Sequence, residues 1–202
     1  PRVQDLLKTP SPYLMGYLDE FIIDPKLNPL VESNRGCPFQ CTFCADGISA
    51  QNKIYKTDPK RFEAELNYIA ERYKGKYLLI ADDNFGMYPE DVEISKIIAR
   101  CQEKYDFPHH LQVCAGKNNQ PRIIECSDIL KGTLRLGASI QSMDDEVLKN
   151  IKRSNISYQK LIDVSMRVSD TEASSYSEVI LSLPGDSKEK HYSAIDKVVD
   201  AG

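Results

Sequence analysis

What this sequence is short of narrows its reading first. Histidine occurs three times in 202 residues, and His109 and His110 stand far from the cysteines that gather near residue 40. A zinc site built from two pairs of Cys or His is therefore poorly supplied. No apolar run approaches the length that crosses a bilayer. Positive charge is not in excess: 26 Lys and Arg stand against 30 Asp and Glu, with a pI near 5.5. That balance argues against an extended nucleic-acid surface. Six cysteines are sparse for a stapled secreted domain, and no signal peptide precedes them. Free thiols in this number point to a reducing compartment, the cytoplasm.

What remains is an ordinary soluble composition, 41% hydrophobic and 28% charged. The length suffices for one domain with a full core, or for most of one large barrel. The first residue is Pro1 rather than Met, and the chain stops at Gly202 just after a helical pattern. Both ends read as cut, so a fragment of a longer protein is expected.

Three cysteines, Cys37, Cys41 and Cys44, fall in the run Asn34-Arg35-Gly36-Cys37-Pro38-Phe39-Gln40-Cys41-Thr42-Phe43-Cys44. Three thiolates this close can hold one iron–sulfur cluster while leaving the fourth iron of a 4Fe–4S cube without a protein ligand. An open iron is a place for a substrate or cofactor. Three core cysteines would rarely share one loop flanked by Gly, Pro and polar residues. Cys101, Cys114 and Cys126 match no cluster spacing and read as buried free thiols.

Strand and helix patterns alternate after a polar leader. Leu30 to Ser33 reads as a first strand leading into the cysteine loop. Asp58 and Pro59 open a helix bearing Phe62, Leu66, Ile69 and Tyr73. Tyr77 to Ala81 is a continuous apolar run, as in a buried parallel strand. A helix after Pro89 carries Ile94, Ile97, Ile98 and Cys101 on one face. Strands are expected at Leu111–Ala115, Thr133–Ile140 and Ser177–Leu183. Between them lie a short helix with Ile123, Ile124, Ile129 and Leu130, and helices around Val147–Ile151 and Leu161–Val168. Asp186 and Glu189 suggest a capping box for a last helix with Tyr192, Ile195 and Val198. Five β/α units in series predict an α/β fold with a parallel sheet and right-handed crossovers.

The cysteine spacing, with aromatic Phe43 before the last cysteine, resembles the signature of the radical S-adenosylmethionine (radical SAM) superfamily. The resemblance covers roughly residues 28 to 185. It implies a partial (β/α)6 TIM-like barrel, truncated here after about five β/α units, with residues 1–27 as leader and 28–202 as core. It also implies a 4Fe–4S cluster on Cys37, Cys41 and Cys44, with SAM on the open iron. An electron from the cluster would then split the sulfonium to a 5′-deoxyadenosyl radical. Flavodoxin or ferredoxin would be the reductant, and a small molecule the substrate.

The strand ends supply the implied SAM contacts, as working residues do in parallel barrels. Asp82, Asp83 and Asn84 stand where many members carry a Gly-Gly-Glu run that binds the SAM amine. This variant, like the leader, resembles the subgroup linked to an upstream cobalamin-binding domain, which would add cobalamin. Ser139 and Gln141 alternate with apolar neighbours, so both are expected on one strand face, toward the ribose hydroxyls or the methionine carboxylate. Arg153 is a candidate carboxylate clamp. Ile180 and Leu183 are candidate adenine contacts, in a run where Ser182 replaces a usual glycine, and Glu178 could face the interior. Two other readings stay open here. One is a non-catalytic iron–sulfur or structural metal module that would not bind SAM. The other is an RNA-modifying, methylthiotransferase-like enzyme, which the acidic balance disfavours.

Overall fold

The computed structural model describes residues 6–116, 118–134, 136–137, 139–155, 157–159, 162–163, 166 and 175–201. The helix expected over Leu161–Val168 lies largely outside the described residues. Helix α1 (Asp19–Ile22) closes the leader, and strand β1 (Leu30–Val31) follows. The long helices α2 (Pro59–Arg72) and α3 (Pro89–Tyr105) flank strand β4 (Tyr77–Ile80) in sequence. Helix α2 begins where its cap predicts: the Asp58 carboxylate accepts from the Lys60 amide at 3.0 Å, and Pro59 needs no partner for a missing N–H.

Strand β5 (His110–Gln112) pairs in parallel with β4, which pairs in parallel with β1, giving the order β1-β4-β5. A parallel bridge from Leu111 to Leu134 carries the sheet onward. Helix α4 (Gln120–Ile129) lies between those two residues in the chain. Strand β6 (Leu136–Gly137) pairs in parallel with β7 (Ser175–Tyr176), continued by a bridge from Gln141 to Val179. The pairs β1–β4, β4–β5 and β6–β7 are thus all parallel, the arrangement that β/α crossovers give. Helices α5 (Asp145–Asn150) and α6 (Lys188–Asp200) follow.

The core forms where α2 and α3 lie on the sheet. Phe62, Leu66, Ile69, Leu78, Phe85, Ile98, Leu130 and Leu134 are fully buried in one cluster. Each such side chain contributes about 1.5–3 kcal/mol of apolar burial. Tyr13 and Ile22 of the leader join the same cluster. The Tyr13 hydroxyl donates to the Leu30 carbonyl at 2.8 Å and accepts from the Leu30 amide at 3.0 Å. A leader side chain thereby satisfies both backbone groups of a residue on the edge strand.

Three expectations change, and one pair is new. Among the described residues, the strand expected over Thr133–Ile140 pairs as a ladder at Leu136–Gly137, and Gln141, just past its expected end, has φ 66°, a left-handed turn that no extended strand passes through. The strand expected at Ser177–Leu183 pairs at Ser175–Tyr176 instead and ends before Ser182, whose φ is 62°. That value explains why glycine is favoured there, since a side chain costs about 1–2 kcal/mol in this region. The last helix is capped by Ser187, whose Oγ accepts from the Lys190 amide at 3.2 Å, rather than by an Asp186–Glu189 box. An antiparallel pair absent from the sequence reading, β2 (Asn34–Arg35) with β3 (Tyr55–Lys56), brackets the cysteine loop.

Candidate cluster and cofactor site

The cysteine loop leaves β2 and returns to β3, so a two-stranded clasp holds its ends. Inside it, the Cys37 amide donates to the Gln51 carbonyl at 3.0 Å. The Cys44 amide donates to the Cys41 carbonyl and the Gly47 amide to the Cys44 carbonyl, both at 3.1 Å. The Thr42 amide reaches across to the Ile151 carbonyl at 3.1 Å, tying the loop to the end of α5. A Cβ on Gly47 would stand 2.1 Å from the Cys41 carbonyl oxygen, so only glycine allows this approach. Cys37 and Cys41 are buried and Cys44 is exposed.

Asp82 fixes the entry to the loop. It is buried, and Oδ1 accepts from the Ser33 amide at 2.9 Å and the Asn34 amide at 3.2 Å. Oδ2 accepts from the Ser33 hydroxyl and from Asn34 Nδ2, the latter at 2.7 Å. Its carboxyl is therefore committed to the chain that precedes the cysteines. Burial, with the Asp91 charge adding to it, pushes Asp82 up to about 7 from 3.8, against the donors that favour ionisation. A carboxyl raised on folding contributes stability that is fully present below about pH 3.8 and is lost as pH rises through about 7. Urea midpoints are expected to fall across that window, and Asp82→Asn is expected to flatten the part of the slope that Asp82 causes. An unchanged slope in the variant would remove this assignment.

The other expected site residues divide into two groups. Asn84 is 1% exposed; its Nδ2 donates to Cys37 Sγ at 3.2 Å, while its Oδ1 has no partner. Arg153 is 7% exposed. Its Nε donates to Asn155 Oδ1 at 3.0 Å, its Nη2 donates to the Ser139 carbonyl, and its Nη1 has no partner. Burial pulls this guanidinium down from its ordinary value, opposed by the thiols of Cys41 and Cys37 and by Glu178. Its charge lies 5.9 Å from the centre of the Phe43 ring. Asn84, Arg153 and Phe43 thus meet the cysteine loop.

Gln141 is buried, with Oε1 unpartnered. Its left-handed backbone breaks the alternation that would set it on the face of Ser139. Ser139 instead donates to the exposed Glu178 carboxylate at 2.7 Å. Leu183 packs with Val147 and Ile151, and Ile180 packs against that group. Asp83 is half-buried, near enough to Tyr88 to add to the rise of its phenol, which burial causes chiefly. Ser33, Asn34 and Gly47 escaped the sequence reading; Gly47, three residues past the last cysteine, was the available signal. Burial pushes Cys101 up to about 12 and Cys126 to about 11, so both are core thiols without ligand character.

The donor set, three cysteines in one loop with Cys37 and Cys41 buried and Cys44 exposed, suits a cluster. A cubane spreads its cysteines over separate irons, and a buried N–H aimed at Cys37 suits a ligand thiolate.

The chain belongs to an iron–sulfur, SAM-using class of enzyme domain, the radical SAM superfamily, whose family model matches residues 31–198. It is 32% identical over 212 residues to the 2-(S-pantetheinyl)-carbapenam-3-carboxylate methyltransferase of Streptantibioticus cattleyicolor. It is equally similar to TokK of Streptomyces tokunonensis, a cobalamin-dependent radical SAM methyltransferase. In both cases the match covers all of this chain, which spans 30% of the relative's length. Among solved structures, the methyltransferase TsrM of Kitasatospora setae, with cobalamin and a [4Fe-4S] cluster, shares the fold with a TM-score of 0.72. Identity there is 13%, over 86% of this chain and 32% of that one. The cobalamin-dependent radical enzyme OxsB, with cobalamin and SAM, follows at 0.65 and 18%, over 94% of this chain and 28% of that one.

Proposed function

We propose that this chain is the SAM-cleaving core of a cobalamin-dependent radical SAM methyltransferase acting on a small molecule. The observation that carries this reading is a set of buried, unpartnered polar atoms: Asn84 Oδ1, Gln141 Oε1 and Arg153 Nη1. Unpaired buried polar groups are costly, each about 1–3 kcal/mol, and persist where a ligand completes them. Two acceptors and one cationic donor match the amine, the hydroxyls and the carboxylate of SAM. Asn84 stands beside Cys37 and Arg153 beside Cys41, which supports an amine acceptor and a carboxylate donor beside the cysteine loop.

In this reading Cys37, Cys41 and Cys44 hold the cluster, Asn84 takes the amine and Arg153 clamps the carboxylate. Gln141 takes a ribose hydroxyl, Phe43 screens the charge pair from solvent, and Ile180 and Leu183 back the adenine. Asp83 gives the amine a second acceptor at the rim, and the Ser139–Glu178 pair borders the ribose. Asp82 holds the loop in register and does not contact the cofactor. When bound, the cluster supplies the electron that breaks the sulfonium bond, and cobalamin on a further domain would carry the methyl group. The parallel strands form part of a (β/α)6 barrel with this site at its mouth. Residues 1–27 join the core to the cobalamin-binding domain, and flavodoxin or ferredoxin supplies electrons in the cytoplasm. None of the described helices is long and apolar enough to cross a membrane.

Low-temperature EPR of the anaerobically reconstituted, reduced protein tests this. A reduced 4Fe–4S signal that changes on adding SAM is expected; a cluster signal indifferent to SAM would leave an electron-transfer module.

A further inference from the structure

We propose that Asn84 is a positioning residue that sets the reduction potential of the cluster through its N–H···S bond to Cys37. The inference rests on the cluster assignment above but concerns a different atom of Asn84 from the one assigned to SAM. The bond is direct, Nδ2 to Sγ at 3.2 Å. A ligating thiolate offers only lone pairs, so the amide must present its N–H to the sulfur and turn its carbonyl away. Burial makes this donor matter. Asn84 is 1% exposed and Cys37 9% exposed, so water cannot replace the bond, and in low dielectric it acts at close to full strength. Cys44, by contrast, is exposed and can draw donors from solvent.

Reduction adds negative charge that spreads onto the cysteine sulfurs, and a donor to sulfur stabilises the reduced state more than the oxidised one. Hydrogen bonds to the sulfurs are among the recognised determinants of cluster potential. The position of Asn84 is itself secured. It follows the Asp82 lock by two residues, and the next residue, Phe85, is fully buried, its amide held by the Cys114 carbonyl at 2.9 Å. The strand end therefore delivers the amide to Cys37 without freedom to turn away.

The test is an EPR-monitored redox titration of the reconstituted protein, without SAM, for wild type and Asn84→Leu. Leucine fills the volume and admits no water to replace the donor. At the wild-type midpoint, the reduced-to-oxidised ratio is expected to fall about tenfold in the variant, a midpoint about 59 mV more negative for this one-electron couple. An unmoved midpoint with cluster content intact overturns the proposal and leaves the cluster assignment standing. Absence of a cluster in the wild type overturns both. If Asn84→Leu fails to fold or load, pulsed EPR on wild type carrying amide-nitrogen-15 asparagine decides. A nitrogen-15 coupling to the reduced cluster is expected there, and its absence overturns the proposal.

Discussion

Reconstituted Cys41→Ala is expected to hold almost no iron, where the wild type takes up about four irons per chain. Cys41 is the middle of the three proposed ligands and is 4% exposed, so neither water nor a distant side chain can stand in for it. Two remaining thiols cannot retain a cube whose fourth iron already lacks a protein ligand. The companion variant Gly47→Ala separates chemistry from geometry, since it keeps all three thiols. Its new methyl carbon would meet the Cys41 carbonyl oxygen at 2.1 Å and the Cys41 amide nitrogen at 3.2 Å. Both are backbone atoms, so the loop itself must shift. Loading well below the wild-type level is expected, measured as iron and acid-labile sulfide per chain. A full iron complement in Cys41→Ala would refute the ligand assignment. Full loading of Gly47→Ala would show instead that the loop adapts.

Arg153→Leu is expected to load its cluster normally but to bind SAM roughly ten- to a hundredfold more weakly. The range follows from about 1.5–3 kcal/mol for a hydrogen bond to a charged group. The guanidinium already spends Nη2 on the Ser139 carbonyl and Nε on Asn155, which orients the unpartnered Nη1. Arg153→Lys should recover only part of the affinity. An ammonium keeps the charge but cannot hold three directions from one plane. Equilibrium dialysis of labelled SAM against the cluster-loaded proteins gives the ratio. Equal affinity in wild type and Arg153→Leu would remove Arg153 from the carboxylate.

The parts of the fold that could be read in advance share one property: their signals are local. Asp58-Pro59 opens α2, the spacing of Phe62, Leu66 and Ile69 sets its buried face, and the apolar run from Tyr77 marks β4. Where pairing depends on distant chain, the reading slipped. The clasp of β2 and β3 joins segments about twenty residues apart through ladders of two residues each, too short to leave a periodic pattern. A left-handed residue, Gln141, stands immediately after the expected fourth strand, and another, Ser182, falls within the expected fifth. Neither is a residue type that announces such a backbone.

The candidate site divides along the same line. The sequence by itself determined the three cysteines, their shared loop and the acidic strand end that follows, because each is a matter of residue type and spacing. Only the tertiary structure decided what the members of Asp82-Asp83-Asn84 do. It turned Asp82 inward onto Ser33 and Asn34, aimed the Asn84 amide at Cys37, and buried Arg153 against a loop more than a hundred residues away. Those roles depend on burial and direction, which arise only when strands and helices pack and each polar atom must find a partner or a ligand.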